Sequence, residues 1–116
     1  LRFCPWNDGG RRMTELQKVL RDLKQEIIKV LGEKFQELIL FGSYARKEEG
    51  AFSDIDLLLL VKGELSREEK RKMDEVISRF SLENDVTIAC IDYPVEIFER
   101  FNTPFLLNVK EEGIRV

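Results

Sequence analysis

Two carboxylates in an otherwise apolar run are the residues best placed to do chemistry in this chain: Asp54 and Asp56 in Ser53-Asp54-Ile55-Asp56, directly before Leu57 to Leu60. Spaced two apart at the entrance of an expected strand, they leave the same face about 6.7 Å apart along the chain. That face continues through Leu58 and Leu60, so two negative charges lie against a low-dielectric core, where an uncompensated pair is costly. A shared divalent cation is the natural compensation. Hard oxygen donors without His or Cys suit Mg²⁺ or Mn²⁺, and Mg²⁺ is usually held by one or two carboxylates together with substrate phosphates. A nucleoside triphosphate is the substrate this arrangement predicts.

Separated from Asp54 by a gap of ten residues stands Gly42-Ser43, where the short apolar run Leu38 to Phe41 ends and helix-forming residues begin. A strand turning into a short helix at this point presents backbone N–H groups and a hydroxyl at a positive helix end, a seat for phosphate. Gly42 allows close backbone approach or positive φ, and Ser43 can donate to a phosphate oxygen. Arg46 and Lys47 are placed to screen the leaving pyrophosphate, although the same charges also read as an ordinary solvated helix face.

The elements that must position these groups follow from periodicity. Thr14 and Gln17 form a capping-box pattern ahead of Leu16, Val19, Leu20, Leu23, Ile27 and Leu31, predicting an amphipathic helix over 14–31 that Gly32 stops. A buried strand is expected over 38–41, a short helix over 43–49, and a central strand, apolar on both faces, over 55–61. Ser66 and Glu69 repeat the capping-box pattern before a second helix over 67–81. Val86, Thr87, Ile88 and Ile91 predict a third strand over 85–92. Two short helices over 95–112 are divided at Thr103-Pro104, and an edge strand closes at 114–116. Phe98, Phe101 and Phe105 read as core or partner surface. Alternating helices and strands give an α/β (α+β) fold: a mixed sheet with helices packed on it.

Composition narrows the function classes. A chain of 116 residues is the size of one domain, expected over 13–116, with residues 1–12 read as a non-native or disordered leader. There is no His, which removes Ser-His-Asp, Cys-His and HExxH chemistry together. Cys4 and Cys90 read as free thiols. No apolar run reaches the 18 or so residues that span a bilayer, so a cytoplasmic location without membrane partners is expected. With 19 Lys and Arg against 22 Asp and Glu, the net charge of −3 disfavours tracking of a nucleic-acid backbone.

Gly42-Ser43, the ten-residue gap, Asp54-Ile55-Asp56 and the apolar strand behind them resemble the minimal nucleotidyltransferase domains of the polymerase-beta-like superfamily. The likeness includes Ala45-Arg46 and extends over the element order from about Thr14 to Asp92; Lys47 departs from it, standing where relatives often have Gly. The resemblance implies two metal ions bridged by Asp54 and Asp56. It also implies a third carboxylate on the following strand, matched by Asp85 with Asp92 as fallback, which completes the metal holding the attacking hydroxyl and serves as the base. The implied reaction is transfer of a nucleoside monophosphate, AMP from ATP, to a hydroxyl with release of pyrophosphate. It further implies a toxin–antitoxin role, with this chain as antitoxin of a helical HEPN-type protein and a Tyr of that partner as acceptor. Relatives that modify small molecules or RNA carry a further substrate domain, which the length of this chain leaves no room for. A non-catalytic protein that binds nucleotide or partner and neutralises the partner by docking is the alternative, against which the carboxylate triad argues.

Overall fold

The computed structural model describes residues 15–42 and 55–116. Helix α1 (Glu15–Leu31) leads through a 3₁₀ turn at Gly32–Lys34 into strand β1 (Phe35–Phe41). Strand β2 (Ile55–Val61), helix α2 (Arg67–Asn84) and strand β3 (Ile88–Pro94) follow, then the short helices α3 (Val95–Arg100) and α4 (Pro104–Glu112) and a two-residue strand β4 (Ile114–Arg115). The four strands form one mixed sheet in the order β3-β2-β1-β4, with β1 antiparallel to β2 and β2 parallel to β3.

The alternation along β2 divides the core. Ile55, Leu57, Leu59 and Val61 point to one face, where Leu20, Leu23 and Ile27 of α1 and Met73, Val76 and Phe80 of α2 cover them. Leu58 and Leu60 point to the other, against Ile39, Phe98 of α3 and Leu106 and Val109 of α4. Both faces of β2 are thus covered, which is why its sequence is apolar throughout apart from Asp56.

The capping signals act where expected. Ser66 Oγ accepts from the Glu69 backbone N–H at 3.1 Å while Glu69 Oε1 accepts from the Ser66 N–H at 2.8 Å. Thr103 Oγ1 accepts from the Leu106 N–H at 3.2 Å, and Pro104 fills the first turn of α4. The expected cap at Thr14 and the expected helix over 43–49 lie outside the described residues.

The boundaries that bear on the site differ from expectation. β1 begins at Phe35 rather than 38, because Gln36 and Glu37 extend a strand whose first residues still pair with β2, with an irregular step between Phe35 and Glu37. α2 runs to Asn84 rather than 81, and Asn84 Nδ2 donates back to the Phe80 carbonyl at 2.9 Å. Asp85 then closes the helix in the left-handed conformation (φ 52°), so β3 starts at Ile88 and not at Asp85.

Far from the Gly42 end of β1, Lys34 Nζ donates to Glu69 Oε1 at 2.7 Å, pinning the start of β1 to the first turn of α2. This bond and those from the Ser66 N–H and hydroxyl hold the Glu69 carboxyl down at about 2 from its usual 4.5. A depressed carboxyl contributes stability that is complete above its unfolded pKa and lost as pH falls through the folded one. Thermal melts should therefore show wild type losing an increment between pH 4.5 and 2 that Glu69→Gln lacks, the two curves converging at the acid end. Parallel curves would remove Glu69 as the cause.

Candidate functional site

The end of the sheet that holds the start of β2 gathers the groups of interest. Register places Asp56 directly across from Phe41 on β1 and from Ala89 on β3, on the α3/α4 face and half-buried. Phe41 shares that face, with its ring edge-on to Phe105 of α4 at 5.4 Å. Phe105 also meets Tyr93 at 6.1 Å, so an aromatic cluster backs the site on its interior side. Of the three phenylalanines singled out in the sequence, Phe98 is buried, Phe105 is half-buried in this cluster, and Phe101 is exposed.

Gly42 follows Phe41 with φ +76°, a conformation side-chain-bearing residues rarely adopt. A Cβ added there would collide with Asp56 Oδ2 and stand 3.3 Å from Asp56 Cγ. The Gly42 backbone therefore lies against the Asp56 carboxylate, in space that glycine alone leaves open. Sequence spacing linked these two residues by resemblance, and the close approach joins them physically.

Ser43, Arg46, Lys47 and Asp54 lie outside the described residues. Asp85, expected on the third strand, is instead the exposed left-handed cap of α2. It stays at the Asp56 end of the sheet, since the Ile55 N–H donates to the carbonyl of Thr87, two residues on, at 2.8 Å. The fallback Asp92 is placed elsewhere: it pairs in register with Leu59, sharing the α1/α2 face, so it cannot converge with Asp56 through the sheet.

The residues beside Asp56 that sequence reasoning missed are Ala89, its register neighbour on β3, and Thr87, two residues earlier and so on the same face by alternation. Both are exposed, leaving the β3 side of the site open. No sequence signal marks them, because neither is a residue type that announces chemistry, and their position depends on a parallel register set across α2.

Among the described residues no group of three His, Cys, Asp or Glu side chains is placed to hold a metal. The donor chemistry nonetheless fits a hard divalent cation: Asp56 supplies carboxylate oxygen, and Gly42 packs its backbone against that carboxylate with no side chain intervening. Among the same residues, no helix is long and apolar enough to cross a membrane.

Residues 18–116 match the family model described as a nucleotidyltransferase domain. A Methanocaldococcus jannaschii protein named, by inference, a protein adenylyltransferase is 36% identical over 102 residues, spanning 88% of this chain and 99% of that protein. A solved structure of an inferred minimal nucleotidyltransferase superposes with a TM-score of 0.58 at 17% identity, covering 92% of this chain and 100% of that one. A chain from a toxin–antitoxin crystal structure with AMP-PNP superposes at 0.57 and 20% identity, over 81% and 69% of the two chains. At these identities the solved structures show a shared fold.

Proposed function

We propose, from the premise that this chain belongs to the nucleotidyltransferase domain family, that it transfers AMP from ATP to a hydroxyl on a partner protein. The observation that carries the reading is the seating of the Gly42 backbone against the Asp56 carboxylate. That contact supports a phosphate-binding turn meeting a cation-binding group at one point, as a triphosphate requires.

In this reaction an acceptor oxygen attacks the α-phosphorus, the new O–P bond forms as the bond to the β-phosphate oxygen breaks, and pyrophosphate leaves. Gly42 and Ser43 bind phosphate through backbone N–H groups and the Ser43 hydroxyl, with Arg46 and Lys47 offsetting charge on the pyrophosphate. Asp54 and Asp56 are the residues that would hold Mg²⁺, or Mn²⁺ in its place, as two ions. When bound, such ions lower the pKa of a coordinated hydroxyl and neutralise the charge that develops on the phosphates. With no His in the chain, the proton of the acceptor passes to a carboxylate, and Asp85, which lies at the Asp56 end of the sheet, takes that part.

Asp85 offers a clean test, because Asn tolerates the left-handed conformation as well as Asp does. Asp85→Asn should therefore fold and melt like wild type and bind MgATP within about tenfold, while turnover falls by about 10²-fold or more, the usual contribution of a general base. Full turnover would leave Asp85 as a helix cap only.

For the acceptor, the shared fold with a chain of a toxin–antitoxin complex supports a toxin as partner, with this chain as antitoxin; the resemblance of Gly42-Ser43 and Asp54-Ile55-Asp56 to minimal nucleotidyltransferases makes that partner a helical HEPN-type protein, met in the cytoplasm. The name of the Methanocaldococcus jannaschii relative supports a protein hydroxyl, most simply that of a Tyr. The exposed Phe101, Ile97 and Leu107 of the α3/α4 region offer apolar contact for docking. Incubation with the product of a neighbouring gene, labelled ATP and Mg²⁺, followed by mass spectrometry, should find AMP on a partner Tyr. Neutralisation of the partner without any transfer would favour docking alone, and transfer to RNA or a small molecule would replace the acceptor.

A further inference from the structure

On the sheet face opposite Asp56, a cavity of about 320 Å³ opens between α2 and the outer strand β3. Its inner wall is apolar, formed by Leu59, Met73, Ile77 and Ile88 among others, and Cys90 lines it as a free thiol. Three charged groups stand at its rim: Lys70 and Asp74, one turn apart on α2, and Asp92 on β3. Leu59 belongs to the α1/α2 side of the core while Leu58 and Leu60 belong to the other, so the sheet separates this cavity from the proposed transfer site.

We propose that this cavity is a binding site for a small organic cation, with Asp74 and Asp92 receiving an ammonium group and Leu59, Met73 and Ile77 its apolar body. The volume is at the lower end of the range for small-molecule pockets, roughly 300–1,000 Å³, which suits a compact amine. Both carboxylates act at the inner wall: burial, then the charges of Asp92 and Asp74, push the Cys90 thiol up to about 12. Two like charges facing one concavity favour a cation between them.

Lys70 does not serve as that cation. Among the described residues it makes no ion pair with Asp74 or Asp92, and Lys one turn ahead of Asp is the weaker orientation for a helix pair. The apolar wall of Leu59, Met73 and Ile77 beside the two carboxylates suits an organic cation, which carries both an ammonium group and a hydrocarbon body. Cys90 is a packing group here and not a nucleophile, because a thiol held near 12 carries almost no thiolate at neutral pH.

The probe is phenethylamine, with phenethyl alcohol as its uncharged counterpart, titrated into the full chain and followed by amide chemical shifts and calorimetry. Phenethylamine should bind with a Kd of about 1 mM or tighter, the alcohol at least tenfold more weakly. Shifts should centre on residues 70–77 and 88–92. The double variant Asp74→Asn with Asp92→Asn, both exposed positions, should keep its melting temperature and lose tenfold or more in affinity. Asp56→Asn should leave the affinity unchanged, which separates this site from the transfer site whatever the latter does. Equal binding of amine and alcohol, shifts centred on Gly42 and Asp56, or no saturation up to about 10 mM amine would each overturn the proposal.

Discussion

Replacing Asp56 by Asn is expected to lower nucleotidyl transfer by at least about 10³-fold while leaving the fold intact, the largest effect of any single conservative change in this chain. The change is nearly isosteric and removes one charge. Asp56 lies on a strand whose other residues are all buried, between Phe41 and Ala89, with Leu58 and Leu60 continuing its face into the core. Because Asn keeps the shape of the side chain, the melting temperature of Asp56→Asn should stay within a few degrees of wild type in the absence of Mg²⁺. The stabilisation that MgATP confers on wild type should vanish, since a ligand stabilises only the state that binds it. Thermal shift with and without MgATP, beside a transfer assay, measures both. A variant that keeps its MgATP shift and its turnover would remove Asp56 from the site.

How much of this was legible beforehand depends on whether the information is local. β2 was readable to the residue, since seven consecutive positions between Asp54 and Lys62-Gly63 are apolar but one, and the exception stands out against them. The start of α2 and the break before α4 were equally readable, because Ser66 with Glu69 satisfies local N–H groups, Thr103 accepts from the Leu106 N–H, and Pro104 has no N–H to satisfy, so nothing distant is needed. Asp85 was misplaced for a reason of the same kind. Val86, Thr87 and Ile88 are good strand formers, but the helix before them is held through Asn84 by its own packing, and an Asp tolerates the left-handed turn that ends it. Local propensity could not choose between the strand and the cap. Ala89 and Thr87 were invisible because a parallel register across an eighteen-residue helix has no local code. The third carboxylate was assigned to Asp85 by resemblance alone, and the register places Ala89 directly beside Asp56 on β3, with Thr87 two residues earlier.

Replacing Gly42 by Ala should cost both stability and activity, and the comparison that separates the two is Gly63→Ala. Both glycines have positive φ, +76° and +67°, so each substitution pays the left-handed strain of an L-residue, about 1–2 kcal/mol. They differ in what the new methyl group meets. At Gly63, beyond the far end of β2, nothing lies within 4 Å; at Gly42 the methyl runs into the Asp56 carboxylate and comes within 3.4 Å of Asp56 Cβ. Gly63→Ala should thus lower the melting temperature by several degrees and leave transfer within about twofold of wild type. Gly42→Ala should lose more stability, and transfer by about 10²-fold, because the carboxylate can yield only by leaving the position it holds against the turn. Truncating that carboxylate isolates the contact. In an Asp56→Ala background the Gly42→Ala substitution should cost little beyond the strain seen at Gly63, a coupling of about 0.5–3 kcal/mol between the two positions. If Gly42→Ala and Gly63→Ala prove equally mild in melting and in transfer, the turn and the carboxylate are not seated on one another, and the shared point of phosphate and cation binding is lost with them.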